Sequence, residues 1–119
     1  MFVYLLLCRD GSIYTGTAHS LEKRMRDHFE RTAAVAAYTR AKGARYLLAA
    51  WECDTRSAAL RAEYAVKQLT HKEKEALAAS PEGISALARL AQVEEAYRPL
   101  SATDPRLLAI RAAYPDPEG

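Results

Sequence analysis

Phe2-Val3-Tyr4-Leu5-Leu6-Leu7-Cys8-Arg9-Asp10-Gly11-Ser12-Ile13-Tyr14-Thr15-Gly16-Thr17 decides the fold. An apolar, aromatic run meets a turn dipeptide at Asp10-Gly11, and a second β-prone run follows; together they read as a β-hairpin. Gly16 inside the second run predicts a bulge or a close approach of backbone or ligand. Strand parity adds a sharper expectation. A two-residue loop at Asp10-Gly11 would set Arg9 against Ser12 and Tyr14 against Leu7, leaving Tyr4 and Tyr14 on opposite faces. The two tyrosines share a face only if the register shifts by one. If both tyrosines serve one site, a three-residue loop, or a bulge near Gly11 or Gly16, is expected.

Outward from the hairpin, Ser20 reads as an N-cap. Leu21, Met25 and Phe29 recur at helical spacing, which predicts a helix near residues 21–31 with Arg24 and His28 one turn apart. Residues 32–45 are rich in alanine and read as a loop or short helix stopped at Gly43. Ala44 to Cys53 reads as a third strand. Asp54 or Thr55 caps a helix to about Gln68, with Ala59, Leu60, Ala62, Tyr64, Val66 and Leu69 available for its buried side. Thr70-His71-Lys72-Glu73 is a capping box for a helix to about Ala79. Ser80-Pro81 opens a helix across Ile84, Leu87, Leu90, Ala91 and about Val93, ended by Pro99. Asp104-Pro105 opens a last short helix with Leu107, Leu108 and Ile110. The expected fold is α/β of the α+β kind. It has a small, mainly antiparallel three-stranded sheet flanked by helices in the order β-β-α-β-α-α, plus a C-terminal helical extension. The expected division is residues 1–79 and residues 80–119, the second part packed on the first or appended to it.

At 119 residues the chain is one domain in size, and 50% apolar with 27% charged residues excludes overall disorder. Two cysteines make no disulfide framework, and no cysteine–histidine group has zinc spacing. Cys8 and Cys53 read as buried thiols. The Met1–Cys8 run is too short to span a membrane and lacks a cleavage signal. A soluble cytoplasmic protein with no membrane contact is expected. The net charge of +2 is unevenly spread. Residues 1–75 carry 13 Lys and Arg against nine Asp and Glu, whereas residues 76–119 carry four against six. Arginine outnumbers lysine 12 to five, and its planar fork suits phosphate oxygens. Charge alone does not separate a nucleic-acid surface from a solvated one.

Five residues in three elements carry a sharper signal. Val3-Tyr4, followed ten residues later by Tyr14-Thr15-Gly16, resembles the paired signature of the GIY-YIG nucleases. Arg24 lies ten residues past Tyr14 and His28 four past Arg24, as in that family's helix motif. Ser57-Ala58-Ala59-Leu60-Arg61-Ala62-Glu63-Tyr64-Ala65-Val66-Lys67 is similar to the segment that bears its metal-binding glutamate. Asp10 to Gly16 and Tyr38-Thr39-Arg40 resemble the small stand-alone bacterial branch. Phe2 and Thr15 depart from the signature, but neither position supplies a reacting group. The segment before Tyr38 is rich in alanine where glycine and lysine are expected, and the chain after about Ser80 lies outside the resemblance.

Phosphodiester hydrolysis needs a base for water, charge on the nonbridging oxygens and help for the leaving oxygen. Arg24 offers a bidentate guanidinium for the phosphate. Glu63 offers a hard oxygen ligand for one Mg²⁺ or Mn²⁺. A free tyrosine titrates near about 10, so a basic neighbour or a metal must make its phenolate accessible. His28 shares a helix face with Arg24 and can hydrogen-bond a tyrosine oxygen while Arg24 holds the phosphate.

The resemblance implies that a signature tyrosine activates the water. Tyr4 is taken as base and Tyr14 as its partner, with the reverse assignment open. Gly16, His19, Lys23, Arg31, Arg40 and Lys67 are the candidate substrate contacts, with Arg26, Lys42 and Arg45 as further backbone-phosphate contacts. The resemblance thus implies a metal-dependent endonuclease in DNA repair, recombination or processing, acting on single-stranded, duplex or branched DNA. Two rivals stand beside it. One is a nucleic-acid-binding module without turnover. In the other, the C-terminal helices dock a protein partner.

Overall fold

The computed structural model describes residues 1–32, 37–87, 90 and 97–119, without the Tyr38 side chain. Its hairpin pairs β1 (Phe2–Cys8) with β2 (Ile13–Ala18). Counted inside the hydrogen-bonded Cys8–Ser12 pair, the loop between them has three residues, Arg9 to Gly11. Cys8 N–H donates to Ser12 O at 2.8 Å and Gly11 N–H donates to Cys8 O at 3.0 Å. Gly11 has φ +89°, which glycine adopts without a Cβ penalty. The Asp10 carboxylate accepts from the Ser12 amide at 3.0 Å and its hydroxyl at 2.6 Å, pinning the loop. The register therefore sets Leu6 opposite Tyr14 and Tyr4 opposite Gly16, which puts both tyrosines on one face. This is the shift that parity required.

Among the described residues four strands, all antiparallel, run in the order β2-β1-β3-β4, with β3 at Ala44–Cys53 and β4 at Tyr97–Pro99. The expected three-stranded sheet is thus corrected to four. The fourth strand is three residues long and contains Pro99, a combination that carries almost no local strand signal. The register of β1 on β3 slips between Leu5 and Leu6, leaving Leu48 as an extra residue on β3.

Side chains alternate between two layers. On one face, Val3, Leu5, Ile13, Ala49 and Trp51 pack under α3 (Arg56–Lys67), with Leu77 of α4 (His71–Ala79), Ile84, Leu90 and Tyr97. The seam of α3 is small: Ala58, Ala59, Ala62, Ala65 and Val66 are its buried residues. Alanines let the helix axis approach the sheet, and the larger Leu60 and Tyr64 fall outside, 44% and 53% exposed. The expectation that these two lie on the buried side of that helix is therefore wrong. On the opposite face, Tyr4, Leu6, Leu47 and Ala50 pack with Leu21 and Met25 of α1 (Leu21–Phe29) and with Leu107 and Ile110 of α5 (Pro105–Ala113).

Local signals end the helices. The Ser20 hydroxyl accepts from Lys23 N and the Thr55 hydroxyl from Ala58 N, caps worth about 1 kcal/mol each. Thr70 and Glu73 form the reciprocal capping box. A further short helix, α2, spans Ala37–Lys42. The helix expected across Ile84 and beyond is instead a 3₁₀ segment at Pro81–Ala86, where Ser80 makes no side-chain cap and Gly83 weakens the helix interior. Ala91 and Val93 of that expectation lie outside the described residues. Pro99 sits within β4 rather than ending a helix.

Residues after Ser80 close over the sheet from both sides. The Trp51 indole donates to Pro81 O at 2.8 Å, the Tyr97 hydroxyl to Ala58 O at 2.8 Å, and Leu100 N–H to Ala50 O at 2.9 Å. The Arg111 guanidinium of α5 donates to the Leu47 and Leu48 carbonyls at the slipped register and lies over the Tyr46 ring. Tyr114 stacks on Phe29 at 4.4 Å between centroids. No helix among the described residues is long and apolar enough to cross a membrane.

Candidate active site

The hairpin face shared by the tyrosines meets α1 at His28. The Tyr4 hydroxyl and His28 Nε2 are 2.7 Å apart, and His28 Nδ1 is 2.9 Å from Thr39 Oγ1 on α2. All three residues are buried, at 1%, 1% and 0% exposure, so the chain Tyr4–His28–Thr39 is a closed hydrogen-bond relay. Either neutral tautomer satisfies it: His28 accepts from one hydroxyl and donates to the other. Tyr14 completes an aromatic triangle, its ring 6.3 Å from Tyr4 and 5.6 Å from His28.

Gly16 makes this packing possible. A Cβ there would collide with the Tyr4 hydroxyl and would sit 2.8 Å from Tyr14 Cε2. The expectation of a bulge or of an approach by backbone or ligand at Gly16 is thus corrected: the groups that crowd it are the two tyrosine side chains.

Electrostatics tie the remaining two groups to the triangle. Burial first, and then the Arg24 charge, lower the His28 pKa to about 4, against a smaller opposing pull from Asp27. The imidazole is therefore neutral near pH 7. Burial raises the Tyr4 phenol well above its ordinary value; Tyr14 and Glu63 add to this and Arg24 opposes it. Burial also raises Tyr14, with Glu63 adding and Arg24 opposing. Arg24 and Glu63 thus act on the tyrosines with opposite sign. Unlike Tyr4, Tyr14 is only partly buried.

Glu63 has a partly exposed side chain on α3, with Lys67 Nζ at 3.8 Å. Among the described residues, no group of three or more His, Cys, Asp or Glu gathers into a metal cage. A single carboxylate is the donor set of an ion that keeps most of its waters, as Mg²⁺ does, and not of a tetrahedral zinc site. The residues present fit one hard divalent cation.

The candidate substrate contacts separate into groups. His19 and Arg24 line one cavity with Thr17, Arg56 and Leu60. Lys67 is beside Glu63, and Lys23 is an exposed i,i+4 partner of Asp27. Arg40 is exposed on α2. Arg31, at φ +53°, lays its side chain against Gly43. Two further cations are engaged by carboxylates: Lys42 with Asp10, and Arg45 with Asp116 at 2.9 Å and Glu118 at 3.2 Å.

Thr39 and Arg56 are the neighbours of the site that sequence reasoning assigned no role. Thr39 was legible only as part of Tyr38-Thr39-Arg40. Cys8 and Cys53 are buried, and burial raises both thiols, Cys53 to about 11.

A model of the GIY-YIG catalytic domain matches residues 1–76. A UPF0213 protein of Bacillus velezensis is 45% identical over 74 residues, 62% of this chain and 73% of its own length. The UPF0213 protein YhbQ of Escherichia coli K12 is 39% identical over 94 residues, 79% of this chain and 92% of its own. A UPF0213 protein from Bacillus halodurans, solved in solution by NMR, is 36% identical. That match covers 71% of this chain and 90% of that one, with a TM-score of 0.42.

Proposed function

The chain belongs to the GIY-YIG family, and on that premise we propose that it is a divalent-metal-dependent endonuclease that hydrolyses DNA phosphodiester bonds in the cytoplasm. The observation that carries this reading is that Tyr4, Tyr14 and His28 pack together while Arg24 of α1 and Glu63 of α3 both bear electrostatically on the two tyrosines. In this reading residues 1–79 carry the catalytic groups, and residues 80–119 are an extension that adds β4 and α5 to them.

In this reading Arg24 grips two nonbridging oxygens of the scissile phosphate and stabilises the charge that grows on them in the transition state. Tyr14 takes the proton of the attacking water, because it is the more exposed of the two tyrosines. Tyr4 is a positioning residue: its hydroxyl is spent on His28, and its ring sets the plane of Tyr14. His28 stays neutral and holds Tyr4, with Thr39 fixing the imidazole from behind. Glu63 would hold Mg²⁺ or Mn²⁺, which would supply positive charge near the phosphate and offset the Glu63 charge that, after burial, raises the Tyr14 phenol.

A nicking assay on plasmid and single-stranded DNA, with Mg²⁺, with Mn²⁺ and with EDTA, tests the proposal. The wild-type chain should cut with metal and stop in EDTA. Arg24→Ala and Glu63→Ala should each lower the rate by roughly 100-fold or more, with an unchanged thermal midpoint. Full-rate cutting by Glu63→Ala rejects the metal assignment. Binding without cutting under every metal, with affinity falling as salt rises, supports the non-catalytic module instead.

A further inference from the structure

The outer face of α3 has no role in the core. Its seam is filled by alanines and Val66, yet Leu60 and Tyr64, one helical turn apart, stand 44% and 53% exposed. Cations surround them. Arg56 lies one turn before Leu60 and Arg61 directly after it, and these four residues with Ser57 wall a cavity of about 720 Å³. That volume is within the roughly 300–1,000 Å³ of cavities that hold a small ligand. The apolar floor and its flanking guanidiniums match a nucleotide, which has a flat, weakly polar base beside an anionic phosphate.

The cavity leads to the site already described. Arg56 and Leu60 also line the neighbouring cavity, which continues past Thr17 and His19 to Arg24. The two cavities therefore adjoin at Arg56 and Leu60, with Arg24 walling one and Tyr64, the residue that follows Glu63, walling the other. A strand gripped at Arg24 would have this second cavity within reach of its next nucleotide. Inside a duplex that base is stacked and paired, so its face is not available to Tyr64; in an unpaired strand it is.

We propose that Leu60 and Tyr64, between Arg56 and Arg61, form a stacking platform for an unpaired nucleobase flanking the phosphate held at Arg24. The platform rests on the nuclease reading for its orientation, but it makes a separate claim about binding. It selects single-stranded or frayed DNA over intact duplex, without reading base identity, because every base has a face to stack.

Fluorescence anisotropy in EDTA, with the full chain, measures this without cleavage. The probes are a short labelled oligothymidylate, a strand of the same length and charge with abasic sites, and a duplex of that length. The wild-type chain should bind oligothymidylate more tightly than the abasic strand. Tyr64→Ala should weaken oligothymidylate binding by roughly fivefold or more and bring it level with the abasic strand. Tyr64→Phe should restore the difference, and duplex binding should not move. Unchanged oligothymidylate binding by Tyr64→Ala overturns the platform, and so does an equal loss on all three probes. A wild-type chain that self-associates, with a monomeric Tyr64→Ala that binds DNA normally, also overturns it, in favour of a contact between copies. A wild-type chain that cuts no DNA under any metal removes the nuclease reading and leaves these binding outcomes to decide the platform.

Discussion

Val3, Leu5 and Ile13 of the hairpin, with Trp51 of β3, point from the sheet into an alanine-lined seam, whereas Tyr4 and Tyr14, interleaved with the hairpin residues, point toward a histidine relay. Both layers are closely buried, and both are made by the same strands. The alanine side is apolar and close-packed, and its chemistry is exhausted by exclusion of water. The tyrosine side buries a hydroxyl, an imidazole and a second hydroxyl, each satisfied by the next. A buried polar group is tolerated only when paired, so the relay can exist only if three elements meet to within hydrogen-bond distance. The alternation of a β-strand thus assigns one face to holding the sheet together and the other to holding a geometry.

That contrast can be broken from either side. Leu5→Ala, on the apolar face, should cost about 2–5 kcal/mol of stability through lost burial and a residual cavity. The folded fraction should retain its specific cleavage rate, measured by urea melts beside nicking assays. A rate that falls with stability intact would mean that the two faces are not separable.

A smaller, pH-dependent effect belongs to the tyrosine face. His28 titrates near 6.5 in the unfolded chain and at about 4 when folded. Between those values the unfolded chain holds the extra proton, so this stabilisation is complete above about pH 6.5 and is lost as the pH falls toward 4. The loss comes to about 3 kcal/mol. Urea melts from pH 7 down to pH 4 should show it in the wild-type chain, and the difference from His28→Gln should shrink along the same interval. Parallel curves would place the imidazole in contact with solvent.

The smallest effect has the opposite sign. Among the described residues, Thr15 Oγ1 is the buried side-chain polar atom without a hydrogen-bond partner, and it lies at 2% exposure on the apolar side of β2. Thr15→Val should raise stability by about 1 kcal/mol, a thermal midpoint a few degrees higher, since it removes an unsatisfied hydroxyl from a similar shape. A destabilised variant would show that the hydroxyl has a partner and that this face also carries a polar connection.

Much of this architecture was legible because its signals are local. Asp10-Gly11, the Thr70–Glu73 capping box, the Asp104-Pro105 helix start and the β-prone run from Ala44 to Cys53 each act within a few residues. The fourth strand was not legible, because Tyr97-Arg98-Pro99 becomes a strand only through pairing with Trp51 to Cys53 across the chain. The outer face of α3 was misread for a related reason. Large apolar residues look like core, but a helix pressed on a sheet through alanines leaves Leu60 and Tyr64 outside. At the candidate site, the five residues were legible as a motif with fixed spacing. The burial of Tyr4, which separates it from Tyr14, and the part played by Thr39 depend on the docking of α1 and α2, which no spacing encodes.

The short fourth strand has a consequence for solubility. Without Tyr97 to Pro99, the outer side of β3 would present a row of unpaired amides and carbonyls, a template on which another chain can add. A strand of three residues, carrying a charged Arg98 and ending in a proline that has no amide to donate, covers the Trp51–Cys53 end of that row and offers little for further growth. The C-terminal segment therefore shields this end of the sheet edge from the addition of another strand.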